Sequence, residues 1–153
     1  MDDVLIKVCS LNDFYSTNIF SPFNVAKHIV DLKIDERLKN GDTSLVNDIA
    51  KITIGEKERY FYSFASKYCS HNLPEKYPIY DSYVDKVLMY FLKEDKFYQF
   101  KQEDLKNYPK FKEILLQFQE YYHLKEFNLK QIDRYLWQLG KKHFPKQYKT
   151  KKV

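Results

Sequence analysis

The chain has 153 residues, enough for one domain that buries about two-thirds of the surface its unfolded form would expose. Lys and Arg number 26 against 21 Asp and Glu, giving a formal charge of +5, and 44% of residues are hydrophobic. That composition weighs against disorder outside the ends, and no window nears the roughly 18 apolar residues of a membrane span. The modest cationic excess fits loose phosphate attraction and solubility equally well.

Met1-Asp2-Asp3 opens acidic before a short apolar run, so no signal peptide is read there. Cys9 and Cys69 form no disulfide framework, which suits a reduced, cytoplasmic setting with Cys69 as a small core residue. Ser21-Pro22 starts a helix through Val25, Ile29 and Leu32. Lys39 to Asp42 is a turn, and a helix over 43–53 follows with Leu45, Val46, Ile49, Ala50 and Ile52 on its buried side. Gly55 ends it. A helix over 59–71 carries Phe61, Phe64, Ala65 and Tyr68 on one face. Pro74 and Pro78 forbid a regular helix between Asn72 and Tyr80.

Asp81 then caps a helix over 81–94 whose apolar stripe is Val84, Val87, Leu88, Phe91 and Leu92. Pro109 opens a helix over 109–122, and Asn128 caps one over 128–142 with Ile132, Leu136 and Leu139 buried. Residues 146–153 read as a frayed basic tail. Three glycines in the whole chain weigh against a sandwich, a barrel or a glycine-rich phosphate loop. The expected fold is all-α, a single compact domain of five to seven helices over 1–145.

The residues most able to carry chemistry lie between Ser63 and Val84. Lys67 sits among Phe64, Tyr68 and Cys69, where partial withdrawal from water would suit an amine nucleophile. The plainer role is a lysine that reaches water from an aromatic rim. Asp81, at a helix mouth, is a fixed anion suited to stabilising a sugar cation, and capping alone would also account for it. His71 and Asn72 follow Lys67 by one helical turn and are candidates for lining the same cavity. Tyr77, Tyr80 and Tyr83, with Tyr60 and Tyr62 nearby, are candidates for stacking on an extruded base, though aromatics beside a helix more often form core. His28, His71, His123 and His143 are scattered, so no metal site is expected.

The segment resembles the helix-hairpin-helix superfamily of DNA glycosylases, in particular its 8-oxoguanine DNA glycosylase branch. Ser66-Lys67 matches the small residue and nucleophilic lysine of that family, and Ile79-Tyr80-Asp81-Ser82-Tyr83-Val84 matches its aspartate stretch. The likeness covers 54–84. It implies an all-helical fold, excision of a damaged or modified base, Lys67 as nucleophile, Asp81 stabilising the sugar cation, a DNA partner and no metal or organic cofactor. A looser likeness joins the chain to bacterial proteins that share these stretches and Asp133-Arg134-Tyr135-Leu136-Trp137-Gln138. The chain departs from the glycosylase pattern in two places. Ser63-Phe64-Ala65 stand where the family has a glycine-rich hairpin, and Asp81 follows Lys67 by only fourteen residues. The alternative is a non-enzymatic helical module that binds protein or nucleic acid, such as a phage-defence component.

Overall fold

A computed structural model of the chain describes residues 1–145, and the tail read at 146–153 lies outside them. Eight helices dominate: α1 Asp2–Tyr15, α2 Pro22–Asp31, α3 Asp35–Asn40, α4 Ser44–Ala50, α5 Tyr62–Asn72, α6 Ser82–Asp95, α7 Tyr108–Tyr121 and α8 Leu129–His143. A 3-10 helix, Gln102–Lys106, precedes α7. Helix α6 packs on α8, α4 on α5 and α7, and α1 on both α2 and α5. The fold is therefore mostly helical, as expected.

It is not all-α. Strands β1 Lys51–Ile54 and β2 Lys57–Tyr60 form an antiparallel hairpin in which Ile54 pairs with Lys57. Gly55 takes φ 63 in the two-residue turn, a left-handed conformation that glycine adopts without steric penalty. The expected helix over 43–53 stops at Ala50 because the next residues alternate: Lys51 and Thr53 are exposed while Ile52 is buried. Arg59 and Tyr60 likewise belong to β2 and not to α5. Helix α1 buries Val8 and Leu11 at i, i+3.

Local chemistry sets the other ends. The Asp81 carboxylate accepts the amides of Tyr83 and Val84 at 2.9 and 3.0 Å, so α6 starts there. Asn128 and Gln131 form a reciprocal capping box at the head of α8. Asn107 caps α7 by accepting the Lys110 amide, with Pro109 in the first turn. One hydrophobic core joins buried side chains from Val8 to Leu136.

That core is rich in tyrosine, and four of its deep hydroxyls find a carbonyl or carboxylate. Tyr77 donates to Leu38 O at 3.2 Å, Tyr108 to Pro78 O at 2.6 Å, Tyr62 to Leu105 O at 3.0 Å and Tyr80 to Asp85 Oδ2 at 2.8 Å. Among the described residues no buried side-chain polar atom lacks a partner, so the phenols are buried without an unmet hydrogen bond. No described helix is long and apolar enough to cross a membrane.

Candidate functional site

A cleft of about 560 Å³ opens where α1, α5, α8 and the loop before α6 converge. Lys67, Ser70 and His71 enter it from α5, and Ile79 and Asp81 from the loop. Phe14 and Tyr15 wall it from α1, and Lys130, Asp133, Arg134 and Trp137 from α8. Lys67 and Asp81, paired on sequence grounds, thus line one cleft.

Lys67 is 7% exposed although it is a lysine, because α5 buries every residue from Phe64 to Ser70. Its Nζ donates to Ser63 Oγ at 2.7 Å and sits 5.0 Å from the centre of the Tyr15 ring. Ser63 Oγ in turn donates to Tyr80 O at 3.3 Å, so one hydroxyl links the amine to the loop that presents Asp81. Both capping bonds of Asp81 fall on Oδ1.

The loop is held at successive residues. Pro78 O accepts from Tyr108, the Ile79 amide donates to Asp133 Oδ2 at 2.6 Å, and the Tyr80 amide donates to Ser66 Oγ at 3.2 Å. Asp133 is 3% exposed, and burial raises its pKa from 3.8 to about 6 despite Lys130 and the Ile79 amide beside it. Tyr15 is raised first by burial and then by the carboxylates Asp133 and Asp81. His71, which shares a 2.9 Å hydrogen bond with the Tyr15 hydroxyl, is lowered by burial and by the cations Lys130 and Lys7.

Four of the expected lining residues lie elsewhere. Tyr77 is fully buried beneath the 37–42 segment, and Tyr80 is locked in the core against Tyr62 and Phe111. Neither ring is available for stacking on a base. Asn72 accepts Lys7 Nζ at 2.6 Å and donates to Tyr68 O, fastening α1 to α5 outside the cleft. Tyr83 packs beneath α8, close to Gly140. The flat faces at the cleft are instead Phe14, Tyr15 and Trp137. Asp133, Arg134 and Trp137 fall at i, i+1, i+4 on one face of α8, a spacing visible in the sequence that only the packing of α8 places beside Lys67.

Among the described residues no three His, Cys, Asp or Glu side chains gather as a metal ion would require. The thiol of Cys69 is pushed up to about 12 by burial, which removes it as a nucleophile.

A family model described as the HI_0787_N N-terminal domain matches residues 1–76. A protein of Haemophilus influenzae, itself described as uncharacterized, is 56% identical over 147 residues, covering 95% of this chain and 70% of that protein. No solved structure matches the chain. With that identity over nearly its whole length, the chain belongs to the family of this Haemophilus influenzae protein, its first 76 residues matching the HI_0787_N N-terminal domain.

Proposed function

We propose that the protein is a DNA glycosylase of the helix-hairpin-helix type, acting on a damaged or modified nucleotide in the cytoplasm. The observation that carries the reading is the shared cleft of Lys67 and Asp81, a near-buried amine and a carboxylate on opposite sides of one loop. In this chemistry the Lys67 Nζ lone pair forms a bond to C1′ of the target nucleotide. The C1′–N bond breaks, its electrons leave with the base, and the base takes up a proton. Asp81 lowers the energy of the positive charge that develops on the sugar. Ring opening breaks the C1′–O4′ bond, O4′ takes up a proton given up by nitrogen, and a Schiff base remains between Lys67 and C1′.

The rest of the cleft suits an extruded nucleotide. Trp137, Phe14 and Tyr15 offer faces for a base, and Lys130 and Arg134 offer cations for the flanking phosphates. Ser63-Phe64-Ala65, which stand where the glycosylase pattern has a glycine-rich hairpin, lie in the first turn of α5, so phosphate contact falls to Lys130 and Arg134. A second reading, a non-enzymatic nucleic-acid-binding module, draws on the structural work that both residues already do, Lys67 holding Ser63 and Asp81 capping α6.

Borohydride trapping separates the two. Incubated with oligonucleotides carrying abasic or oxidised sites, the protein should form a reduced covalent adduct, and Lys67→Gln should form none while keeping its fold and oligonucleotide affinity. Affinity without any adduct on these substrates would favour the module.

A further inference from the structure

We infer that Asp133 is a positioning residue for the cleft, holding the loop that presents Asp81 in register with the helix that carries Lys67. The inference rests on the functional reading above for its kinetic consequence, but its geometry stands alone. Asp133 Oδ2 accepts the Ile79 amide at 2.6 Å, two residues before Asp81. The same oxygen lies 3.5 Å from Lys130 Nζ, and Lys130 Nζ donates to Ser70 Oγ at 3.1 Å, one turn along α5 from Lys67. A single carboxylate therefore joins α8, the loop and α5, the three elements whose side chains meet at the cleft.

A neutral acceptor would hold the Ile79 amide equally well. What an amide side chain cannot do is draw Lys130 in as an ion pair, so the link to α5 depends on the charge of Asp133. Burial works against that charge and places its loss near neutrality, at about 6. The other ionisable groups around it are Lys130 and Arg134 on α8, Asp81 on the loop, and Lys67 and His71 on α5. Tyr15 on α1 and Tyr108 on α7 also feel its charge. Of these, Lys130 and the Ile79 amide favour the ionised form and Asp81 opposes it. As pH falls through this range the Lys130 pair is lost and the loop keeps a weaker, uncharged acceptor.

The test compares the full chain with its Asp133→Asn, Asp133→Glu, Asp133→Ala and Lys130→Met variants. Trapping on an abasic oligonucleotide is measured across pH 5 to 8, and amide hydrogen exchange at Ile79, Tyr83 and Val84 by NMR. Asp133→Asn should keep the Ile79 amide protected, slow trapping by about tenfold or more at neutral pH, and lose the wild-type rise in rate centred near pH 6. Asp133→Glu should recover part of the rate, and Lys130→Met should behave as Asp133→Asn does. Wild-type rates and pH profile in Asp133→Asn would overturn the inference. If the wild type forms no adduct at all, the glycosylase reading fails separately, and exchange then decides. Asp133→Ala should speed exchange at Ile79 and at the Asp81-bound amides Tyr83 and Val84. Unchanged exchange there would overturn the positioning role.

Discussion

A buried carboxylate is a liability that a fold keeps only under constraint. Asp133 binds its proton more tightly in the folded chain than its ordinary value near 3.8, with release near 6. Between those values the folded state holds more proton than the unfolded one. Its contribution to stability is thus fully present below about pH 4 and is lost as pH rises past about 6, amounting to about 3 kcal/mol. Urea midpoints should show the wild type losing ground to Asp133→Asn across that window, and the gap should stay constant above it. A variant more stable and less active at neutral pH is the signature of a charge retained for function. Asp81 carries two roles of unequal weight. Asp81→Ala should cost about 1 kcal/mol through loss of the α6 cap. Trapping should fall much further, by a factor of about a hundred, as removing a group that stabilises transition-state charge does. Parallel losses of that small size in both would leave only the cap.

The elements differ in how far the sequence announces them. Asp81, Asn128 and Pro109 mark the starts of α6, α8 and α7 because capping is a local affair of three or four residues. The β-hairpin was hidden because Val46, Ile49 and Ile52 continue a three-residue step, so a helical period runs on through residues that pair as strand. The loop between α5 and α6 has no period at all. Which of its tyrosines turn inward is decided by Tyr108, Ser66 and Asp133, residues up to 54 positions away. That is why the sequence alone does not report which way Tyr77 and Tyr80 face. Helix α8 meets α6 at Gly140, where an added Cβ would stand 2.7 Å from Tyr83 Cβ and 2.9 Å from Tyr83 O. Gly→Ala inside a helix usually stabilises by up to about 1 kcal/mol. Here overpacking against backbone should reverse the sign, costing about 1–3 kcal/mol in a denaturation experiment and shifting the wall that carries Asp133 and Trp137.

The whole molecule is bound together more tightly than the extent of the family match would suggest. The match ends at residue 76, but the core does not divide there. Tyr62 and Tyr77, on either side of that boundary, both rest against Tyr108 of α7. Helix α4 packs on α7, and Tyr108 N donates to Asn47 Oδ1 at 3.2 Å. A fragment of residues 1–76 would leave those faces in water, and it should show broad, poorly dispersed NMR resonances where the full chain is well dispersed. The cleft depends on the same unity, because α1 and α5 supply one wall and α8 the other. This distance along the chain explains what sequence reading left out. Phe14, Tyr15, Lys130, Arg134 and Trp137 become neighbours of Lys67 only through packing, and nothing local to them reports it.

The inward tyrosines have a consequence in alkali. Burial raises the phenols of Tyr62, Tyr77, Tyr80 and Tyr108 far above their ordinary value of 10, and raises Tyr68 to about 12. Phenolate absorbance from these inner rings should therefore grow late as base is added. Its growth should be cooperative, because the inner rings release their protons only as the core opens. The protein thus carries a built-in optical gauge of its own unfolding, needing no attached dye.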